Sequence, residues 1–168
     1  MKTTYVPVML LASALVSCME KKEEIKPSLS QQIIGEWQNT YLKVEMPTSN
    51  NSMSLEILEV TQQNWEKKMK IQPIRTVFNK NRTYHSEHRN LKGTLIYNPA
   101  GIWSIKGDTI TMMDTYPIQG KCFKYKIAID GDCVEFWGKE DFDADGAKDD
   151  FYYGKQKKLV EVIDATIK

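Results

Sequence analysis

Two stretches of this chain alternate apolar and polar residues on either side of a paired glycine and aspartate, around Gly107-Asp108 and around Asp130-Gly131. A period of two is a strand period, and glycine beside aspartate reverses a chain in two residues. With Gly107-Asp108 as the turn, Ile105 faces Ile110 and Trp103 faces Met112. Those four residues share one face, which is the expected core side. With Asp130-Gly131 as a type I′ turn, Ile127 faces Val134 and Tyr125 faces Phe136, while Lys126 meets Glu135 on the other face. That register sets Cys133 opposite Ala128. Cys122 then lies roughly 20 Å along the strand at about 3.3 Å per residue. A disulfide tolerates about 7 Å between Cα atoms, so two free thiols are expected.

The rest of the chain carries the same kind of punctuation. Ile34-Gly35-Glu36-Trp37 opens a strand over 37–46, residues 47–52 read as a loop, and 55–60 is a second apolar run. Thr61 is placed to N-cap a helix over 62–70, with Trp65 and Met69 on one apolar face. This helix either closes one end of the core or lies as a lid over a ligand mouth. Short strands are expected over 74–78, 83–89 and 94–97, with Asn98-Pro99-Ala100-Gly101 as a turn. A strand restarts at Phe151, and 159–167 is apolar enough to end the sheet or pack on its outside. Short strands at regular spacing indicate a sandwich or a barrel.

The N-terminus supplies an address. Lys2 precedes an apolar run over 5–16, too short to span a bilayer and of the length of a secretory signal. Leu15-Val16-Ser17-Cys18 resembles the lipobox of bacterial lipoproteins. The resemblance implies cleavage before Cys18, a lipid on its thiol, and anchoring to a membrane rather than spanning it. An ordinary cleaved signal is the other reading. Residues 1–17 are thus expected to be a signal peptide, 18–30 a charged tether, and 31–168 one domain. Lys22-Glu23-Glu24 also resembles the charged signal for surface export in some Gram-negative bacteria, and a plain tether explains it equally. The expected location is the outer membrane, on its periplasmic or its outer side. A net charge of +1 gives no electrostatic footprint for nucleic acid.

Ile34-Gly35-Glu36-Trp37 also resembles the Gly-x-Trp entry of lipocalins. The run from Gly93 through Asn98-Pro99-Ala100-Gly101-Ile102-Trp103 to Ile105, followed by Gly107-Asp108-Thr109-Ile110, is similar to units of bacterial lipocalin-like lipoproteins. The likeness covers residues 31–158. It implies an all-β fold, an antiparallel up-and-down barrel with one short helix, and a small apolar ligand inside it. Trp37 would pack across the barrel end. Trp103, Met112, Tyr125 and Phe136 are the expected ligand-binding residues, with Trp37 and Tyr97 as further core candidates. The segment 47–71 is longer than a simple hairpin and departs from the family. Two other classes stay open: an accessory or inhibitory interaction module with a filled barrel, and an enzyme with a scattered site. No nucleophile elbow, Walker loop or His-Glu-x-x-His motif occurs, so an enzyme is not the expectation.

His85 and His88 are three apart on a strand and point to opposite faces, so they do not share a metal. One motif does suggest metal chemistry. Asp141, Asp143, Asp145 and Asp149 stand at loop positions 1, 3, 5 and 9, with Gly146 at 6 and the Ala147 carbonyl at 7. Hard cations take oxygen ligands at this spacing, and the glycine permits the sharp turn. The segment resembles the calcium loops of dockerin-like and integrin-repeat proteins. It lacks the bidentate twelfth ligand, because Tyr152 stands there. Calcium binding and a solvated acidic loop are the two readings.

Overall fold

Gly35–Met46, the first strand (β1), is the longest and organises the rest. A computed structural model describes residues 27–48 and 54–159 of the chain. The expected signal peptide, Cys18 and Lys22-Glu23-Glu24 lie outside the described residues, as does the apolar stretch beyond residue 159. Two short helices, α1 (Leu29–Gln32) and α2 (Trp65–Met69), accompany the strands. These are β2 (Glu56–Thr61), β3 (Arg75–Phe78), β4 (Thr83–Arg89), β5 (Leu95–Tyr97), β6 (Ala100–Lys106), β7 (Thr109–Tyr116), β8 (Cys122–Asp130), β9 (Cys133–Glu140) and β10 (Asp150–Lys158).

Eight strands close an antiparallel barrel in the order β1-β3-β4-β6-β7-β8-β9-β10, and β10 pairs back onto β1. The long segment after β1 explains why β2 is left out of this ring. One edge of β1 runs along β10 from Trp37 to Glu45. The other edge is divided: residues 35–38 pair with β3, and residues 41–46 pair with β2. A bulge opposite β10 lies between Asn39 and Tyr41. The extra residue returns the alternation to the same face. Trp37 and Asn39 are therefore buried below it, and Leu42, Val44 and Met46 above it.

The interior holds two apolar clusters. The first, at the end closed by α1, contains Ile33, Trp37, Phe78, Tyr84, Trp103, Ile110, Ile127, Val134 and Phe136. Trp37 is fully buried there, and its indole Nε1–H donates to the Ile33 carbonyl at 2.6 Å. The second cluster joins Leu42, Val44, Met46 and Val60 to Trp65 of α2. The helix over 62–70 thus exists in shorter form, and Trp65 packs into this core at 1 % exposure. Its N-cap is Asn64 rather than Thr61, which ends β2; the Thr61 N–H donates to Asn64 Oδ1 at 2.8 Å. Helix α1 straddles the expected boundary at residue 30 between tether and domain. Its signal was a Ser-x-x-Gln start, since Gln31 Oε1 accepts from the Ser28 N–H at 2.9 Å.

The β6–β7 hairpin has the expected register, with Ile105 opposite Ile110 and Trp103 opposite Met112. The β8–β9 hairpin does not. Its turn is Gly131-Asp132, so Ile127 faces Phe136 and Ile129 faces Val134. A type I′ turn at Asp130-Gly131 needs positive φ at both residues. Asp130 is not among the positive-φ residues, and Gly131, at φ 57, supplies the single positive φ that a glycine-first type II′ turn requires. Moving the turn by one residue moves each partner by two, which keeps every side chain on its face. The expected Lys126–Glu135 pair is lost. Lys126 instead meets Asp108 at 3.5 Å, and Glu135 meets Lys155 at 2.8 Å. Cys133 now opposes Asp130, further from Cys122 than expected, and both thiols are free.

Two further corrections concern the upper rim, the end away from α1. Ala100 and Gly101 belong to β6 and not to a turn. Gly101 sits at a bulge against β7, where a Cβ would come 2.0 Å from the Met113 carbonyl oxygen. Tyr97 is 37 % exposed and stands at the rim rather than in the core.

Candidate functional site: a two-faced barrel cavity

Between the two apolar clusters the barrel is not filled. A cavity of about 280 Å³ lies inside the upper half of the barrel. Its exposed lining residues, Tyr97 at the end of β5 and Lys121 in the β7–β8 connection, mark where it meets solvent. Three of the four expected ligand-binding residues line it: Met112, Tyr125 and Phe136. The fourth, Trp103, does not. It lies in the solid cluster, edge-on to Phe78 at 5.9 Å, and its indole N–H donates to the Thr83 carbonyl at 3.0 Å.

The cavity wall divides into two arcs. On β7, β8 and β9 it is apolar and aromatic. Tyr125 stacks on Phe123 at 6.2 Å and meets Phe136 edge-on at 6.2 Å, with Met112 beside them. From β10 through β1, β3 and β4 to β7 it carries the polar side chains, set beside the rings of Tyr152, Phe78 and Tyr84. Gln156, Asn39, Thr76, Ser86 and Asp114 all line the cavity and are all buried. Thr76 and Ser86 hydroxyls share a hydrogen bond of 2.8 Å. Gln156 Nε2 donates to Asn39 Oδ1 at 3.3 Å. The Tyr84 hydroxyl donates to Asp114 Oδ1. That last bond spans Gly101, which pairs with Tyr84 on one side and Asp114 on the other. The glycine therefore serves twice: it permits the close approach of β7, and it leaves room for Tyr84 to cross to Asp114.

One polar atom of this arc is orphaned. Gln156 Oε1 is buried and accepts no hydrogen bond from the described residues. A buried amide oxygen without a donor costs about 1–3 kcal/mol, so such groups call for an explanation.

Burial also sets protonation. It raises the Tyr84 phenol, with the Asp114 bond adding to the effect. Tyr125 is raised well above the usual range by burial, then by Tyr152 and Glu140. Tyr152, 5.0 Å from Tyr125, is pushed up to about 12, chiefly by burial. All three phenols are thus protonated donors at neutral pH. His88 points inward beside Tyr97 at 5.1 Å, and burial lowers its pKa, so it is neutral there. His85 is on the opposite face, paired with Val77 and Ala100, as the strand period requires.

Sequence reasoning found the aromatic arc because large apolar residues at period two announce a core. It missed the polar arc. Asn39, Thr76, Ser86, Asp114 and Gln156 read as outward residues in single strands. Only alternation with Trp37, Phe78, Tyr84, Met112 and Gly154, together with closure of the sheet, turns them inward.

The acidic loop between β9 and β10 lies at the same open end. Asp141 and Asp143 converge with Asp150, their oxygens within 4.8 Å of one another. Asp150 is 1 % exposed and accepts from the Phe142 and Asp143 N–H groups at 2.6 and 3.3 Å. It was not among the expected ligands. The expected ligands Asp145 and Asp149 are not part of this converging group; the Thr48 hydroxyl reaches them at 3.4 and 3.2 Å. The loop folds on itself as the spacing requires: Gly146 N–H donates to Asp141 at 3.2 Å, and Ala147 N–H to Asp145 at 2.8 Å. Asp141 Oδ1 and Asp149 Oδ1 are buried without a partner among the described residues.

A wider depression of about 530 Å³ lies on the outside of β8, β9 and β10, near Trp137 and Phe151. Lys139 covers the Phe151 ring at 4.6 Å, and Lys155 lies over Tyr153 at 5.5 Å. Lysine stems over rings are an ordinary dressing for a solvent-facing sheet. The interior cavity, with its orphaned acceptor, is the stronger site.

No protein-family model matches this chain, and no curated protein matches it as a relative. The class in hand is therefore that of the fold: a closed eight-stranded antiparallel barrel with an internal cavity at one end.

Proposed function

We propose that this chain is a lipid-anchored binding protein of the bacterial cell envelope that holds a small, largely apolar ligand inside its barrel. The observation that carries the reading is the cavity of about 280 Å³ walled by Met112, Phe123, Tyr125 and Phe136. An interaction module with a filled barrel needs no such space. Aromatic and methionine side chains provide adaptable apolar contact. The anchor rests on the sequence alone, on Leu15-Val16-Ser17-Cys18.

The test uses the neutral probe N-phenyl-1-naphthylamine with the full-length chain. Its fluorescence is expected to rise on binding, and Met112→Trp, which fills the cavity, is expected to weaken binding about tenfold, or about 1.4 kcal/mol. Thermal melts establish that the variant folds. No fluorescence change with the wild type sinks the reading. For the anchor, Cys18→Ala is expected to move the protein out of the membrane fraction; retention there rules out this cysteine.

A second site reading belongs beside this one. We infer that the acidic loop binds Ca²⁺, with Asp141, Asp143 and Asp150 as the converging ligands. The orphaned oxygen of Asp141 supports it, since a cation supplies the partner it lacks among the described residues. Without a bidentate twelfth ligand the affinity belongs in the range of roughly 10⁻⁴ to 10⁻³ M. Millimolar Ca²⁺ is expected to raise the melting temperature over chelator by linkage, and Asp143→Ala to remove the rise. Equal melting temperatures would leave only a solvated acidic loop.

A further inference from the structure

The polar arc narrows the ligand class, and the inference from it rests on the cavity reading above. We propose that the ligand is a small amphipathic amine, with its ammonium group received by the polar arc at Asp114 and Gln156 and its apolar body against the aromatic arc.

Three observations carry this. The first is the Asp114 carboxylate, 3 % exposed, in a wall of the cavity. Among the described residues its side-chain partner is the phenol of Tyr84, not a base. A buried carboxylate without a cation is costly unless something neutralises it. Of the basic groups lining the cavity, His88 is held neutral by burial. Lys121 is exposed at the mouth, with its Nζ 5.0 Å from the Phe123 ring centre. A ligand cation would supply the missing charge.

The second is the orphaned Gln156 Oε1. Gln156 is 9 % exposed, and its other amide atom is engaged with Asn39. The vacancy is thus for a donor, and an ammonium group carries three donors and no acceptor. The third is the opposite arc. Met112, Phe123, Tyr125 and Phe136 give the apolar body of such a ligand an aromatic wall to lie against.

Thr76 and Ser86 bond to each other, and Asn39 Oδ1 accepts from Gln156, whereas Asp114 carries the cavity's buried carboxylate and Gln156 Oε1 finds no donor among the described residues. A carboxylate ligand would bring a second negative charge against Asp114 and no donor for Gln156. A pure hydrocarbon would leave both acceptors unanswered.

The experiment compares four probes on one ring system by calorimetry with the full-length chain: 2-naphthylmethylamine, 2-naphthylmethanol, 2-methylnaphthalene and 2-naphthoate. The amine is expected to bind tightest, the alcohol next, and naphthoate weakest. A gap of about tenfold or more between amine and hydrocarbon corresponds to one charge-assisted hydrogen bond. Asp114→Asn keeps an acceptor for Tyr84 while removing the charge; it is expected to erase most of the amine's advantage and leave 2-methylnaphthalene unchanged. Gln156→Met is expected to reduce amine and alcohol binding alike. Equal binding of all four, or tightest binding of naphthoate, overturns the amine inference and keeps the cavity. An amine preference that survives Asp114→Asn overturns the role of Asp114. Binding of none of the four overturns the cavity reading itself.

Discussion

The two halves of this barrel are built on opposite plans. At the end closed by α1 the inward residues form an apolar cluster, in which Trp37, Phe78, Ile110 and Val134 are buried to 1 % exposure or less. In the upper half, the same strands turn Asn39, Thr76, Ser86, Asp114 and Gln156 inward, around a space. The lower half gains stability from burial at about 25 cal/mol per Å² of apolar area. The upper half gives some of that up, since buried polar groups return little net energy and an orphaned one costs. The lesson is a division of labour along a common set of strands: one level holds the fold, and the next is free to bind.

Trp37→Ala tests that contrast with the largest expected effect. It removes a fully buried indole and its bond to Ile33, and a loss of about 3–5 kcal/mol is expected from denaturant melts. A loss under about 1 kcal/mol would mean that the lower cluster does not hold the fold. Gly101→Ala is the intermediate case. The new Cβ would meet the Met113 carbonyl at 2.0 Å. The expected cost is about 1–3 kcal/mol, as for overpacking, together with weaker probe binding from the displaced Asp114. A variant as stable as wild type with unchanged binding would deny the glycine both roles.

The smallest effect is a pH dependence in the upper half. Burial depresses His88 below its ordinary 6.5. Above that value neither the folded nor the unfolded chain carries the proton, and His88 contributes nothing to the slope. As pH falls below 6.5 the unfolded chain takes up a proton that the folded chain refuses, so stability falls until the depressed pKa is reached. Melting temperatures at pH 7.5 and 5.5 are expected to differ less in His88→Gln than in wild type. An equal difference in both would place the slope on other groups.

Much of the architecture was legible because it rests on period and turn chemistry. The alternation around Gly107-Asp108 led directly to the observed β6–β7 register. At Asp130-Gly131-Asp132 two turns were open to the same residues, and the structure chose the one needing positive φ at glycine alone. The face of each residue survived that choice, because a two-residue slip preserves parity; the partners did not. In the same way, Met112, Tyr125 and Phe136 were placed on the inner face, but nothing local distinguished them, as cavity wall, from Trp103, as solid core. That depends on what stands across the barrel. Asp141 and Asp143 were legible as a loop motif, whereas Asp150 joined them only because β10 turns it inward beside them.

By itself the sequence determined that this chain forms short antiparallel strands with tight glycine turns, which residues share a face, and that its thiols lie too far apart to bridge. These are local properties, set by backbone sterics and by a side-chain period of two. The tertiary structure decided what no single strand encodes: that the sheet closes, that β1 divides its edge between β2 and β3, and that a polar arc from five strands faces an aromatic arc from three. Closure gives each inward side chain neighbours distant in the chain. Whether those neighbours fill the space or leave a cavity is a matter of summed volume across the barrel.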